Sequence, residues 1–306
     1  MQASFREIWD RISGVQKINI YTHAGPDGDS LGSCVGLRRM ILQEKPQAHV
    51  KVITLDSLAG KLAECDIAKE TQSTDEEAEL YVYPDTPTKN QVTAQHSPSI
   101  CIDHHIMRNL EMNMTYVKLW PSCAGLFFHE FNSLGLNVTP TVAEALLVGA
   151  VTDTGCGIYG DVATRAKALD DIKALDAVCG KYRRSYVNTF WGLSLNQEKT
   201  MTKFIDNIKM KDKVLILQVP NEISSSLNLS DLRMTLQELT HRVPADYFMW
   251  CYEQKGKMKF SIRGDGKDLQ EFAKKFNGGG HSGAASFESD KKPQDIFDDF
   301  CNYVKS

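Results

Sequence analysis

The sequence predicts an α/β protein: an N-terminal domain with a mainly parallel sheet flanked by helices, and a smaller C-terminal α/β domain. Three observations lead to this prediction. Short apolar strands alternate with helix-length segments in the first part of the chain, a pattern typical of parallel sheets. The length of 306 residues indicates two domains, at ~100–200 residues per domain. Near residue 185 the pattern changes and a second series of helices and strands begins.

The elements of the first domain follow from apolar spacing and from glycine and proline breakers. A first helix over residues 3–14 is predicted by apolar residues at helical spacing, Phe5, Ile8, Trp9 and Ile12. Strands are predicted at Lys17–Tyr21, Val50–Leu55, Leu80–Tyr83 and Ser99–Ile102. Further helices are predicted at about Leu31–Gln43, 122–134, 140–152 and 163–178.

The remaining chain predicts a second domain behind a helical connection. We expect a first domain at residues 1–190, a linker helix at 191–210 and a second domain at 211–306. Strands are predicted in the second domain at Val214–Val219, 246–253 and 257–263. Helices are predicted there at 231–241, 268–276 and 293–304.

Composition and charge exclude several classes of protein. The net charge of −4 argues against a protein that coats long nucleic acids, because such domains are usually basic, but it leaves short nucleotides possible as ligands. No apolar run approaches the ~20 residues of a membrane span, and the N-terminus lacks the pattern of a secretory signal. Eight scattered cysteines without a C-x-x-C pair favour reduced thiols. We therefore expect a cytoplasmic protein without a membrane partner.

A compact group of metal-ligating residue types follows the first strand. His23, Asp27 and Asp29 lie within seven residues, in a segment broken by glycine and proline. Loops at the carboxyl ends of parallel strands are where α/β proteins bind ligands. The alternative is that both acids are only turn and helix-capping residues.

Other predicted elements end in similar residues. Asp103, His104 and His105 directly follow the fourth strand, and imidazole together with carboxylate suits Mn²⁺, Fe²⁺, Zn²⁺ or Co²⁺. Asp85 follows the third strand and Asp153 ends an apolar helix; each alone would be an ordinary turn residue. Together the chain offers more candidate ligands than one ion needs. Two ions ~3.5–4 Å apart sharing a carboxylate would use them all and would clamp a phosphoryl group.

A glycine-rich turn lies in the most basic part of the second domain. Residues 255–281 hold seven Lys or Arg against three acids, and the segment ends in Gly278-Gly279-Gly280-His281-Ser282. Three glycines allow a backbone nest of N–H groups that binds an anion, and Arg263 suits bidentate contact with phosphate. Ser122, at the start of a predicted helix, would present N–H groups to a phosphate or would merely cap that helix.

These motifs resemble the DHH phosphoesterase superfamily. The resemblance rests on His23-x-x-x-Asp27-x-Asp29, Asp85, Asp103-His104-His105 and Asp153, and the Gly278–His281 turn resembles the signature of the DHHA1 substrate-binding domain. The order and length of the motifs are similar to the nano-RNase (oligoribonuclease) and 3′-phosphoadenosine-5′-phosphate (pAp) phosphatase branch. Two departures are that Gly264 and Asp265 follow Arg263 where a serine is expected, and that no arginine closely follows Asp85.

The resemblance implies an active site in a cleft between the two domains, with two divalent ions, most often Mn²⁺. One ion would be held by His23, Asp27 and Asp85, and the other by Asp29, Asp85, His104 and Asp153, with Asp85 bridging. Asp103 would orient a ligand, and His105 would face the scissile phosphate. The other end of the substrate would be held by Arg263, Gly278, Gly279, Gly280, His281 and Ser282. Arg108 would supply the arginine that is absent after Asp85.

The implied function is hydrolysis by a metal-bridging hydroxide. Substrates would be short RNA or DNA oligonucleotides, dinucleotides such as pApA, or pAp, which would give AMP. Three alternatives remain: a RecJ-type single-strand exonuclease, a cyclic-dinucleotide phosphodiesterase, and a nucleotide sensor without turnover. Members of this family often form homodimers, and the sequence carries no separate signal of an interface.

Overall fold

The computed structural model describes residues 2–58, 60–105, 110–181, 195–227, 229–254 and 256–305. The chain divides into two compact units, Met1–Gly192 and Leu193–Ser306, and each is described by itself below. Within the described ranges, every helix is too short or too polar to traverse a lipid bilayer.

The first unit alternates helices and strands, as the sequence predicted. Its helices are α1 (Phe5–Ser13), α2 (Gly28–Glu44), α3 (Gly60–Glu64), α4 (Cys123–Ser133), α5 (Pro140–Asp153) and α6 (Val162–Cys179). Its strands are β1 (Lys17–Tyr21), β2 (His49–Ile53), β3 (Thr71–Gln72), β4 (Leu80–Pro84), β5 (Ser99–Asp103) and β6 (Met114–Val117). Two 3₁₀ turns lie at Asp66–Glu70 and Lys89–Gln91.

These strands form one six-stranded sheet in the order β3-β2-β1-β4-β5-β6, with all neighbours parallel. The α/β class with a parallel sheet is therefore confirmed. Strands β4 and β5 are buried along their whole length, as expected for the centre of a sheet covered on both faces. The sequence analysis missed β3 and β6, which are short edge strands with only half-buried side chains.

Close packing of α2 on α5 determines where the loop after β1 lies. A Cβ on Gly32 would be 2.6 Å from the carbonyl oxygen of Ala145, so the two helices approach at backbone distance. Asp27 is the N-cap of α2 and accepts hydrogen bonds from the N–H groups of Asp29 and Ser30, both at 3.0 Å. The helix thus begins three residues earlier than predicted, because Asp27 caps it.

The second unit is also α/β. Its helices are α7 (Leu195–Ile205), α8 (Asn221–Ser224), α9 (Leu229–Arg242), α10 (Leu269–Lys274) and α11 (Pro293–Lys305). Its strands are β7 (Ile208–Lys211), β8 (Val214–Gln218), β9 (Tyr247–Gln254), β10 (Lys257–Gly264), β11 (Gly279–Gly280) and β12 (Ala284–Glu288). Helix α7 packs into the core of this unit through Met201 and Phe204.

The sheet of the second unit has the order β11-β12-β10-β9-β8-β7. Its strands are antiparallel except for the parallel pair β8 and β9. One face packs against α10 and α11 through Phe260, Phe272 and Phe300, and the other packs against α7 and α9. Strands β7, β11 and β12 were not predicted, because they are short or rich in glycine, alanine and serine.

Candidate active site

The structure gathers the candidate ligands at the carboxyl edge of the parallel sheet. His23 follows β1, Asp85 follows β4, and His104 follows β5. Because β1, β4 and β5 are neighbours in the sheet, the residues after them lie side by side. Asp153, the last residue of α5, comes to the same place, with its Oδ2 3.6 Å from Nε2 of His104.

Asp85 lies at the centre of the group. It is buried, and its two carboxylate oxygens face different partners. Oδ2 is 3.6 Å from Nε2 of His23, and Oδ1 is 3.4 Å from Nε2 of His104. This arrangement suits a carboxylate shared between two cations.

Three overlapping sets of ligand atoms each lie within 4.8 Å of one another. They are His23, Asp27 and Asp85; Asp29, His104 and Asp153; and Asp85, His104 and His105. Six of these residues are the ligands expected from the sequence. The third set adds His105, whose Nδ1 is 3.5 Å from Oδ1 of Asp85.

The donor set fits divalent cations. Oδ1 of Asp85 and Nε2 of His104 are buried and have no hydrogen-bond partner among the described residues. A buried polar atom without a partner is costly, and a bound cation would satisfy both atoms. Carboxylate oxygens and imidazole nitrogens together suit Mn²⁺, Fe²⁺, Co²⁺ or Zn²⁺.

Burial and the crowding of acids shift the pKa values of the site. Burial, together with the charges of Asp29 and Asp27, raises the pKa of Asp85 well above its usual range. Burial also raises the pKa of Asp153 to about 7. Burial alone would lower the pKa of His23, but the adjacent Asp27 and Asp85 outweigh it and raise that pKa to about 9. Bound cations would replace protons in balancing this negative charge.

Backbone carbonyls orient both ligand imidazoles. Nδ1 of His23 lies 3.1 Å from the carbonyl oxygen of Ala24, and Nδ1 of His104 lies 2.8 Å from that of Trp120. With Nδ1 donating, the acceptor nitrogen Nε2 of each ring faces the carboxylates, as a metal ligand requires. Trp120 donates in turn from its indole Nε1 to Oδ2 of Asp171 at 2.8 Å. The sequence analysis missed Trp120 and Asp171, because a carbonyl contact leaves no signal in residue type.

The N-terminus of helix α4 lies at the site, but its first N–H groups already bind the carboxylate of Asp29. The N–H groups of Cys123 and Ala124 donate to the Asp29 carboxylate at 2.7 and 2.9 Å. Ser122 is buried, and its hydroxyl accepts from the N–H of Gly125 at 3.0 Å. The N–H groups of Cys123, Ala124 and Gly125 are therefore not available to a phosphate, and the prediction that they bind one is wrong. Ser122 is the N-cap of α4.

Asp103 lies behind His105. One carboxylate oxygen of Asp103 accepts from the backbone N–H of His105 at 2.7 Å and lies 3.0 Å from its ring Nδ1. Burial alone would lower the pKa of His105, but this hydrogen bond and the charge of Asp85 raise it. Asp103 itself is fully buried. Arg108 lies outside the described residues.

The candidate substrate residues of the second unit lie around β10 and β11. Nε of Arg263 donates a hydrogen bond to Oε1 of Gln237 at 3.1 Å. The guanidinium of Arg263 lies 5.3 Å from the centre of the Trp250 ring. His281 and Ser282 are exposed in the turn between β11 and β12.

The glycines of this turn have a packing role. Cβ atoms on Gly278 and Gly280 would lie 2.4 Å from the Ser286 carbonyl oxygen and 2.3 Å from that of Ala284, respectively. The N–H groups of Gly278 and His281 donate to protein carbonyls at 2.9 and 2.7 Å. The N–H groups of Gly278 and His281 therefore do not contribute to the expected anion-binding nest. Gly279 and Gly280, between them, form strand β11.

Several known proteins are similar to this chain. Residues 17–150 match the N-terminal domain of the DHH family. A probable bifunctional oligoribonuclease and PAP phosphatase NrnA of Streptococcus mutans is 25% identical over 99% of both chains. The corresponding protein of Mycoplasma genitalium is 21% identical over 97% of both chains.

A solved structure shows the same fold along nearly the whole chain. An exopolyphosphatase-related protein from Bacteroides fragilis superposes with a TM-score of 0.76 at 19% sequence identity. The match covers 98% of this chain and 95% of that one. The folds of both units are therefore similar to those of a solved structure. The first unit therefore contains a segment, residues 17–150, that is similar to the N-terminal domain of the DHH family.

Proposed function

We propose that this protein is a metal-dependent phosphoesterase that hydrolyses short oligonucleotides and dinucleotides such as pApA to mononucleotides, and pAp to AMP. The observation that carries the proposal is Asp85, whose two oxygens face two different sets of ligand atoms. The names of the similar proteins, oligoribonuclease and PAP phosphatase, support the same class of substrate.

In this proposal His23, Asp27 and Asp85 hold one divalent ion, and Asp29, Asp85, His104 and Asp153 hold a second. Mn²⁺ is the ion we expect. When bound, such ions stabilise charge on phosphoryl oxygens and supply a nucleophilic hydroxide at neutral pH.

The protein's own groups position the reacting phosphate. Asp103 accepts the Nδ1 proton of His105 and holds the ring at the edge of the ligand cluster. We propose that His105 donates a hydrogen bond to a phosphoryl oxygen, where negative charge grows during displacement. We also propose that Arg263 and the turn at His281 bind phosphate groups of the substrate, and that the protein forms a homodimer.

The test is product analysis of the full chain with Mn²⁺. The substrate panel is pApA, a 5-mer and a 24-mer RNA, pAp, cyclic di-AMP and pyrophosphate, with Mg²⁺, Co²⁺ and Zn²⁺ as alternative metals. Mononucleotides from the shortest RNAs, or AMP from pAp, would support the proposal. Consumption of only the 24-mer, only cyclic di-AMP or only pyrophosphate would contradict it. Binding without any product would favour a nucleotide sensor.

Two variants link turnover to the ligand cluster. Asp29→Ala and His104→Ala remove buried ligands, and we expect each to lower kcat by about a thousandfold or more while circular dichroism stays unchanged. The exposed Asp290→Asn is the matched control and should keep wild-type activity. Normal turnover in either ligand variant would rule out the two-metal assignment.

A further inference from the structure

The two imidazoles of the ligand cluster are each oriented by a carbonyl group that lies in a loop. Nδ1 of His23 lies 3.1 Å from the carbonyl oxygen of Ala24, and Nδ1 of His104 lies 2.8 Å from that of Trp120. Ala24 lies between β1 and α2, and Trp120 lies between β6 and α4. A loop carbonyl keeps its direction only where other groups hold the loop. Each imidazole therefore depends on the side chains that fix its loop.

The loop of Trp120 is held by α4 and α6. The indole Nε1 of Trp120 donates to Oδ2 of Asp171 at 2.8 Å, and Nζ of Lys167 lies 3.2 Å from the centre of the ring. Gly125 of α4 leaves room for this pair, because a Cβ there would lie 2.6 Å from Oδ2 of Asp171 and 3.2 Å from Cδ1 of Trp120. Close packing on α4 and the hydrogen bond to α6 together fix the ring, and with it the carbonyl that faces His104.

The loop of Ala24 is held from the neighbouring strand. The backbone N–H of Gly25 donates to Oδ2 of Asp56 at 2.7 Å, and Asp56 lies in the loop after β2. The backbone N–H of Ala24 donates to the carbonyl oxygen of Gln91 at 2.8 Å. Gly25 has a φ of 64°, in the left-handed region that glycine adopts readily. The hydrogen bond to Asp56 thus stabilises the turn that presents the Ala24 carbonyl to His23.

Asp56 and Asp171 have the same relation to the ligand cluster. The sets of candidate ligand atoms found among the described residues include neither of them. Each accepts one hydrogen bond from the loop whose carbonyl orients one imidazole. The two imidazoles belong to different sets, His23 to the first and His104 to the second. Partners that orient a metal ligand typically change metal affinity by about 10–100-fold.

We propose that Asp56 and Asp171 are positioning residues, and that each tunes the affinity of one divalent cation. Asp56 acts on the first ion through the loop of His23, and Asp171 acts on the second ion through Trp120 and His104. This inference rests on the proposed function, which assigns two ions to the cluster. It adds that the two affinities are set separately, by carboxylates on two different elements that bind no ion themselves.

Two background variants isolate the ions. Asp153→Ala removes a ligand of the second ion alone. Asp27→Ser removes a ligand of the first ion alone and keeps an oxygen that caps α2. Titration calorimetry of the full chain with Mn²⁺, in the absence of substrate, then measures one affinity in each background.

The two positioning residues should affect opposite backgrounds. We expect Asp56→Ala to lower Mn²⁺ affinity by about tenfold in the Asp153→Ala background and by less than about twofold in the other. Asp171→Ala should do the reverse. Each variant removes one carboxylate from the first unit, so each is the matched control for the other. Equal losses in both backgrounds, or no loss in either, would overturn the proposal.

Conservative variants separate positioning from general loss of structure. Asp56→Asn and Asp171→Asn keep an acceptor oxygen, and we expect each to bind Mn²⁺ within about threefold of its own background. Trp120→Phe keeps the ring and loses the N–H, so it should match Asp171→Ala. Combining the two should cause no further loss, because both remove the same hydrogen bond. Additive losses would contradict the route through Trp120.

Turnover distinguishes this inference from the proposed function. A wild-type protein that hydrolyses neither pAp nor short RNA, while the variants change Mn²⁺ affinity as expected, would contradict the proposed function and support the positioning roles. Hydrolysis of those substrates by wild type, with unchanged Mn²⁺ affinity in Asp56→Ala and Asp171→Ala, would overturn the positioning roles alone.

Discussion

Asp85 combines a strained backbone with a carboxylate that faces two histidines. Its φ of 53° lies in the left-handed region, which costs a non-glycine residue on the order of 1 kcal/mol or more. Directly after β4, this conformation turns the chain away from the strand direction while both oxygens of the side chain face the histidines. Strain of this kind is concentrated at functional sites, where the surrounding structure maintains it.

Asp85→Asn should therefore separate stability from activity. Removing one charge from a crowd of acids should raise the melting temperature of the metal-free protein by a few degrees, roughly 1 kcal/mol. The rise in melting temperature caused by Mn²⁺ should shrink, because binding to the native state is what produces it. Thermal scans with EDTA and with Mn²⁺ measure both effects, and metal analysis of the purified variant counts the ions. Full metal content in this variant would contradict a bridging role.

The raised pKa of Asp171 makes the stability of the protein depend on pH in a predictable direction. Burial raises the pKa of this carboxyl to about 6, although the hydrogen bond from Trp120 opposes the shift. Between pH 4 and 6 the folded state therefore binds more protons than the unfolded state, and this residue makes stability fall as pH rises. Asp171→Asn keeps an acceptor for Trp120 without the charge. We expect the melting temperature of this variant, minus that of wild type, to increase from pH 4.5 to pH 7.

A constant difference across that range would show that Asp171 titrates normally. Asp170→Asn is the matched control, because the neighbouring carboxylate is exposed on the same helix.

At the scale of elements, α4 and α5 hold Asp29 between them. The first turn of α4 donates two N–H groups to its carboxylate, which also benefits from the positive end of the helix dipole. On the other side, Gly149 of α5 leaves room: a Cβ there would be 2.7 Å from Oδ1 of Asp29 and 2.6 Å from Cβ of Ala124. The two helices therefore fix the position of the Asp29 carboxylate, and the space between Gly149 and Asp29 does not admit a methyl group.

Gly149→Ala should therefore displace Asp29 without changing its chemistry. We expect a loss of about 1–3 kcal/mol in the free energy of unfolding, as is typical of overpacking. Metal affinity should fall about 10–100-fold, the usual effect of moving a group that supports a ligand. Titration calorimetry with Mn²⁺ measures the affinity. Gly14→Ala, whose new Cβ would have no neighbour closer than 3.4 Å, is the control; equal metal affinity in both variants would refute the prediction.

At the scale of the whole molecule, the two units have separate cores. In the first unit the largest cluster packs one face of the parallel sheet, and a smaller cluster with Tyr21, Tyr81 and Tyr83 lies on the other face. The second unit has a cluster on each face of its own sheet. Among the residues that the structure describes, every cluster of candidate metal ligands belongs to the first unit. Substitutions in the second core should therefore affect substrate binding and stability, but not the number of ions bound.

Phe272→Ala tests this division. The ring is buried between α10, β12 and α11, where it contacts Phe287 and Phe300. Its loss should cost about 3–5 kcal/mol in the stability of the second unit. The metal content measured after Mn²⁺ loading should stay at the wild-type value. Loss of bound metal in this variant would show that the first unit depends on the second for its site.

The sequence by itself determined the α/β class, the parallel sheet and the residues gathered at its carboxyl edge. The reason is local: apolar periodicity marks strands and helices, and His23, Asp85 and His104 follow their strands within two residues. Once three neighbouring strands are parallel, their following residues must meet.

Only the tertiary structure decided how each group is used. The α4 N–H groups bind Asp29 instead of a ligand, Trp120 orients His104 through a carbonyl, and Gly278 is required by its packing on β12. Arg263 and Gln237 are 26 positions apart and come together only because α9 lies beside β10. Backbone donors and acceptors are the same in every residue type, and long-range contacts have no fixed spacing, so these features leave no pattern in the sequence.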